Sequence, residues 1–540
     1  MSHREFKAIR CCGPILALTF FLLGRIIIPY PGLQNDEVLF AGADFGFPGS
    51  SIFQLGLFHR HIPVMHMSYL GSLKTWLYAP ILALAPANVW SVRLPVLAIG
   101  AMTVWLFAVL LEAVHGERAA WIGGALLATD TMFLITTCFD WGPVALQHLL
   151  TVSGVLLVVR FARHARPDAL FWGFLCFGLA AWDKALFFWI FGGMIVATIA
   201  VFPRELLGAL TRDNLKRAIG GFALGALPLI AYNAMRGLAT FRANSSFSFD
   251  DFARKASALR GAWNGSGLLG YIAANPDQGG QALPAHNSIE RLSYALHGAF
   301  GDVATNQLPA ALCLAVLLLP LLWRTPVRRL LLFCVVTFAV GWLQMVGTRG
   351  AGGSAHHIVL LWPVPHLFIA VTLAEASLRL RKTGIIVVSA IVLFLAGANL
   401  LLTNQYFYQL ARYGSPHAWT DAVFPLSSEV QQLHPAEIVI DDWGILDSLV
   451  LLRRGDLPAT FADSSFLAAG SSSATHDWDV GRLERALWIG HTPAYQELSG
   501  LNDQIVRNAA SAGFEKKLID VIADRHARPV FEVFRFERKN

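Results

Sequence analysis

Long apolar stretches recur all the way to Asn404, and they constrain the fold of this chain more than any other feature. A run of about 20 apolar residues crosses a bilayer as a helix. In lipid each backbone polar group must be paired within its own segment or a closed barrel, so such runs fold as helices. About eleven spans are expected, a count set by that length criterion, near residues 12–29, 91–111, 119–137, 139–160, 168–183, 185–202, 218–234, 307–323, 330–347, 357–377 and 383–403. Only 14% of the residues are charged and 55% are hydrophobic, against roughly a quarter charged in a soluble domain. The expected class is a polytopic α-helical membrane protein.

The short loops between these spans have two characters. One set is basic and holds Arg118, Arg160, Arg163, Arg166, Arg204, Arg212, Lys216, Arg217, Arg324, Arg328, Arg329, Arg379, Arg381 and Lys382, with Arg4, Lys7 and Arg10 ahead of the first span. The other set, around 138–140, 182–184 and 348–356, holds only Lys184 and Arg349. Basic loops stay in the cytoplasm, so the N-terminus is expected there, with an uncleaved first span because no small-residue cleavage site follows it. Residues 69–87 cannot then be a further span without reversing every later loop. They are expected to form an interfacial helix within an external loop of residues 30–90. A second external loop is expected over 235–306, and loops of that length are usually functional or mobile.

After Asn404 the composition turns globular. Residues 1–404 are expected as the membrane domain and 405–540 as an extracytoplasmic α/β domain. Ile438-Val-Ile440, Leu487-Trp-Ile489 and Val530 to Phe536 read as strands, with a helix over Ile445 to Leu452. Asp441-Asp442 stands at a strand end, where turn-forming aspartates are common. The cysteines lie in or beside the spans, which offers no disulfide framework, CxxC zinc site or haem motif. The basic loops hold no phosphate-binding glycine motif, and the net charge of +6 is a topology signal rather than a nucleic-acid one.

Chemistry therefore belongs at the outer ends of the spans, whose centres read as apolar. Asp36 and Glu37 follow the first span; Lys74 sits on the interfacial helix; Arg93 opens the second span. Asp140 lies in the tight turn Phe139-Asp140-Trp-Gly-Pro143, Asp183 and Lys184 share a turn, and Arg349, His356 and His357 share the loop 348–357. Ionisable groups at a membrane edge are functional candidates unless hydrated or paired. Adjacent histidines do not both face one ion on a helix, so no metal ligands are assigned; no cofactor is implied, and a divalent metal stays open.

Asn35-Asp36-Glu37 resembles the Asp-Glu motif of GT-C type membrane glycosyltransferases, specifically the superfamily of protein O-mannosyltransferases and aminoarabinose transferases (glycosyltransferase family 39 and its relatives). Leu70-Gly-Ser-Leu-Lys74 to Pro80 with Val92-Arg93-Leu-Pro95, Phe139-Asp140-Trp-Gly-Pro143, and His357 to Trp362-Pro363-Val-Pro365 resemble its later blocks, over roughly residues 10–405. Val64-Met-His-Met-Ser68 replaces the family's Pro-Pro pair. The resemblance implies a GT-C fold and a glycosyltransferase. Such an enzyme moves a sugar from a polyprenyl-phosphate carrier to an acceptor hydroxyl on a protein, lipid or glycan, at the outer face of a bacterial inner membrane, by direct inverting displacement. It implies Asp36 as the base, with Glu37 and Asp140 orienting it or holding sugar hydroxyls. Lys74, Lys184 and Arg349 are implied as phosphate clamps, Arg93 joins the substrate-binding set, and His356 or His357 is a secondary contact. Partners are then the lipid-linked donor, membrane lipid and the acceptor, and no nucleic acid. The competing readings are a transporter or flippase and a ligase that uses a diphosphate carrier.

Overall fold

Each of the expected spans is occupied by helix. In the computed structural model, which describes residues 5–46, 50–57, 60–244, 246–278, 280–462 and 480–539, four helices are long and apolar enough to cross a membrane unaided: Val89–Val114, Val144–His164, Arg328–Gly347 and Arg381–Tyr413. Four more spans are bent pairs: Glu117–Thr129 with Thr131–Cys138, Phe187–Val201 with Pro203–Ala209, Arg212–Gly225 with Leu227–Met235, and Ala355–Leu361 with Val364–Arg379. The apolar helices Cys12–Ile27 and Leu308–Leu322 and the helix Pro167–Asp183 fill the remaining windows. Local chemistry sets several ends. The helix Val89–Val114 starts in a capping box between Asn88 and Ser91, which satisfies otherwise orphaned backbone donors. Pro167 and Pro203 stand at first helical positions, where the missing N–H costs nothing.

The apolar-centre expectation fails at Asp130. Asp130, fully buried, caps the helix Thr131–Cys138 through Phe133 N at 2.7 Å, at a break where two helices meet at 55°. Its other oxygen lies 3.2 Å from His366 Nε2, also fully buried. A break exposes backbone donors that lipid cannot satisfy, and an aspartate supplies the acceptor. A single Asp inside an apolar window carried no such signal.

The basic loops meet each other at one end of the bundle. Arg329 pairs with Glu205 at 2.6 Å, and His115 with Glu375 at 3.3 Å. At the opposite end the loop 30–90 is structured. The strands β1 (Phe53–Leu57), β2 (Arg60–Met67) and β3 (Leu70–Gly71) form an antiparallel sheet, and the helix Leu73–Leu84 follows within the expected 69–87. Gly71 lies against the Trp182 carbonyl, where a Cβ would collide. The loop 235–306 carries the helices Ala239–Asn244, Phe252–Asn264 and Ser288–Phe300. Buried Lys255 ties it to the bundle by donating to the carbonyls of Val346 (2.9 Å) and Thr348 (2.6 Å).

The last helix of the bundle, Arg381–Tyr413, runs without a break through residue 404. Beyond it a five-stranded mixed sheet has the order β5-β4-β6-β8-β7, built from β4 (Ile438–Ile440), β5 (Ala459–Phe461), β6 (Leu487–His491), β7 (Phe514–Ala523) and β8 (Pro529–Arg538). Strands β5, β4 and β6 are parallel, and β8 and β7 extend the sheet antiparallel. The helix Leu446–Leu452, expected from the sequence, carries the sheet domain onto the first loop: Ser448 Oγ donates to Leu33 O at 2.9 Å.

Candidate active site

Asp36 and Glu37 open the helix Asn35–Gly42, whose first turn favours negative charge. Gln34 caps it, its side chain accepting from Glu37 N at 3.1 Å. Neighbouring helical residues point about 100° apart, and the two carboxylates part accordingly. Glu37 turns inward, 1% exposed, and receives Arg93 Nε and Nη2, each at 2.7 Å. Arg93 spends its remaining N–H groups on the carbonyls of Ile28 (2.6 Å), Pro31 (2.8 Å) and Gly32 (2.6 Å). Asp36 is only half-buried. Burial raises its pKa above the usual carboxylate value; the Asn35 side chain and the Lys184 charge oppose that rise.

Four charges gather beside it. Lys74 Nζ is 2.9 Å from Asp140 Oδ2 and donates to the Asp140 carbonyl at 2.6 Å. Asp140 Oδ1 meanwhile accepts from Val144 N at 2.8 Å and so caps the helix Val144–His164. Asp183 is fully buried, and neither of its carboxylate oxygens finds a hydrogen-bond partner among the described residues. Lys184 follows in the turn, which is held by Ala185 N donating to Tyr69 O at 2.9 Å and by Gln147 Nε2 donating to Lys184 O at 3.0 Å. Its Nζ lies against Gly142, 3.1 Å from where a Cβ would stand, with the His356 ring at 3.4 Å from the same point. Among the described residues no hydrogen bond or ion pair engages that ammonium. Burial lowers its pKa to about 8, opposed by Asp140, Asp183 and Asp36. Lys74 and Asp140 are committed to each other; Lys184 stands uncommitted within reach of the charges of Asp140, Asp183 and Asp36.

Aromatic rings close over this cluster. Trp141 stands edge-on to His356 (5.2 Å between centroids) and to Trp419 (5.6 Å), and Tyr271 lies 6.0 Å from Trp141. Trp419 O accepts from Gly32 N at 2.8 Å. The Thr420 carbonyl packs so closely on Gly32 that any side chain there would collide. Tyr69 and Tyr271 both titrate high, Tyr271 at about 12, through burial first and then the charge of Asp36. Both phenols thus feel the charge of the same carboxylate.

No protein-family model matches the chain, and no curated protein matches it by sequence. Among solved structures, ArnT from Cupriavidus metallidurans bound to undecaprenyl phosphate superposes with a TM-score of 0.53 at 13% identity, over 96% of each chain. Its apo form gives the same values. The chain has the GT-C fold. AglB from Archaeoglobus fulgidus, in complex with an inhibitory peptide and a dolichol-phosphate, aligns at 12% identity and a TM-score of 0.48, over 91% of this chain and 70% of that one.

Within the GT-C bundle the remaining sequence candidates have partners other than Asp36. Arg349 is exposed, its backbone N–H bound to Ser246 O at 2.8 Å and its charge acting on Asp251. His357 accepts from Gly352 N at 3.2 Å and stands edge-on to Trp189, while His356 turns to Trp141. Arg93 and Glu37 saturate each other. Asp447 escaped the sequence reading: it lies on the helix Leu446–Leu452, which packs against Asn35–Gly42. Burial and then the charge of Asp36 raise its pKa to about 7, against a hydrogen bond from Asn35. Tyr69, Tyr271 and Trp419 escaped too. No group of three His, Cys, Asp or Glu side chains converges on a metal position among the described residues.

Proposed function

We propose that this protein is an integral membrane glycosyltransferase that moves a sugar from a polyprenyl-phosphate carrier to an acceptor hydroxyl at the outer membrane face. The observation that carries the reading is the buried, uncommitted ammonium of Lys184, set among the charges of Asp140, Asp183 and half-buried Asp36 at one rim of a GT-C bundle. The same fold holds undecaprenyl phosphate in ArnT. Asp36 takes the acceptor hydroxyl proton as that oxygen attacks the anomeric carbon. The bond from that carbon to the phosphate oxygen breaks, its electron pair leaves with the polyprenyl phosphate, and the anomeric configuration inverts. The leaving phosphate gains negative charge, which a fixed cation in a dry site stabilises strongly. Lys184 is that cation, with His356 beside it. Lys74 and Asp140 hold the turn 139–143 and the interfacial helix together, and Glu37 with Arg93 fixes the loop that presents Asp36. The excess of Lys and Arg in one set of loops supports an N-terminus in the cytoplasm and a C-terminal sheet domain outside, in a bacterial inner membrane.

The test is release of polyprenyl phosphate from a polyprenyl-phosphate sugar by the reconstituted protein, with formation of a glycosylated product. Lys184→Met is expected to lower turnover about 10²-fold, the scale of losing one charge-stabilising donor. It also removes a charge that holds the Asp36 pKa down, so the acid limb of kcat/KM moves to higher pH. An unmoved acid limb would separate Lys184 from Asp36. The transporter reading has one observation on its side, the buried Asp130–His366 pair at a helix break, since transport sites sit on broken helices. Substrate movement without a covalent product would favour it.

A further inference from the structure

We infer that the helix Ser288–Phe300 is seated in the outer leaflet of the membrane, its apolar stripe among the lipid chains, and that from this seat it holds the loop that carries Asp36. The inference stands whichever chemistry Asp36 performs. The helix is amphipathic in the reverse sense of a soluble one, which turns its apolar stripe to the core. Here Ile289, Leu292 and Phe300 are 49%, 61% and 60% exposed, with half-buried Leu296 and exposed Ala299 between them. Residues spaced three and four apart line one helix face. The polar groups of the other face point into the protein: Glu290 and Ser293 are buried, and Tyr294 Oη donates to Leu283 O at 3.1 Å.

Its depth follows from the last span. The helix Arg381–Tyr413 has 33 residues and starts in a basic loop that the charge asymmetry assigns to the cytoplasm. About 20 residues cross the hydrocarbon, which brings it to the outer headgroups near Thr403. The residues that follow are the ones that grip Ser288–Phe300. Asn404 Nδ2 donates to Ser293 O at 3.3 Å, Gln405 Oε1 lies 3.1 Å from His297 Nδ1, and Tyr408 stacks on His297 with 3.7 Å between centroids. The two ends of the helix agree with that level. Tyr30, bound to Glu290, follows closely on the end of the first helix at Ile27, and Phe300 shortly precedes the span Leu308–Leu322. An apolar stripe at that depth faces lipid, into which interfacial helices sink by about 5–10 Å. Arg291, exposed beside the stripe, is long enough to keep its charge among the headgroups.

The inward face ties this seat to the candidate site. Tyr30 Oη donates to Glu290 Oε1 at 2.7 Å, and Glu290 also accepts from His286 N at 2.6 Å and Asn287 Nδ2 at 2.8 Å. The Tyr30 ring stands edge-on to Phe407, 5.0 Å between centroids, with the Arg525 guanidinium 5.3 Å over it. Tyr30 belongs to Pro29-Tyr30-Pro31-Gly32, which leads from the first span to Asp36. Prolines on both sides stiffen that stretch, so a tie at Tyr30 limits where Asp36 can stand.

The experiment is footprinting of the full chain in nanodiscs with two reagents, a phospholipid that bears a diazirine in its acyl chain and hydroxyl radicals generated in the water. Ile289, Leu292 and Phe300 are expected to take the lipid label and to escape the aqueous one. Leu292→Glu, on the outward face, loses the lipid label at Ile289 and Phe300, because a carboxylate resists transfer into lipid. Tyr30→Phe keeps the lipid label and removes only the tie. Hydrogen exchange at the amides of Gly32 and Glu37 then quickens about tenfold, the weight of one hydrogen bond to a charged group. The inference is overturned if the stripe is labelled from water, or if it escapes both reagents, as it would beneath a second copy of the chain. It is overturned equally if Leu292→Glu leaves the lipid label in place, or if Tyr30→Phe leaves exchange at Gly32 and Glu37 unchanged.

Discussion

Asp36→Asn is expected to lower sugar transfer by about 10²–10⁴-fold, the range a positioned general base contributes, in a protein that folds normally. The substitution keeps the size of the side chain and its contacts with Asn35 and Gln34, and it removes only the capacity to take a proton. Asp36 makes no buried ion pair, so its loss leaves no stranded charge in the interior. Wild-type activity also has a pH signature. Burial holds Asp36 above the usual carboxylate range, and a base works only when ionised. Transfer therefore falls as pH drops through that raised value, at a higher pH than an unperturbed aspartate (about 3.9) gives. The assay is initial rate against pH for both proteins at matched folded concentration. Asp36→Asn turning over within a few fold of wild type would remove the base assignment, as would an acid limb at the ordinary carboxylate position. Asp140→Asn behaves differently, because Asp140 caps a helix and holds Lys74: it loses stability together with rate.

Lipid makes the bundle legible. Bilayer thickness dictates span length, so apolar windows alone locate the helices, and loop charge orders them. The β1–β3 sheet was hidden because Pro63 and two histidines interrupt β2, leaving no clean alternation. Strand β7 was hidden by Glu515, Lys516, Lys517 and Asp520 on an exposed edge strand, where charge protects against edge pairing. Around the site, the ionisable residues that sequence picked out do share one end of the bundle, but sequence treats adjacent carboxylates alike. Only the helix turn separates Asp36, whose charge acts on Tyr69, Tyr271 and Lys184, from Glu37, which is consumed by Arg93. Trp419 and Asp447 reach the first loop, at Gly32 and Asn35, from some 400 residues away through the docking of the sheet domain, and no local pattern encodes that distance.

Glu37→Gln is expected to destabilise the folded protein by about 3–5 kcal/mol, the cost of stranding one partner of a buried pair. Arg93 is fully buried and all five of its N–H donors are used: two on Glu37 and three on the carbonyls of Ile28, Pro31 and Gly32. A neutral amide leaves the guanidinium without its counter-charge and returns one donor to a group that needs acceptors. Arg93→Lys fares no better, since an ammonium offers three donors from a point and cannot span the same acceptors. The double variant Glu37→Gln with Arg93→Met should be less destabilised than the two single changes summed, because the stranded charge goes with its partner. The carbonyls held by Arg93 belong to the end of the first span and the turn before Asp36, so transfer falls in step with the folded fraction. Thermal unfolding in nanodiscs, read alongside transfer rate, distinguishes this from chemistry. A Glu37→Gln protein with unchanged unfolding temperature and a selective loss of kcat would make Glu37 part of the reacting centre. Lower stability with proportionate loss of rate leaves it as the clamp that aims Asp36.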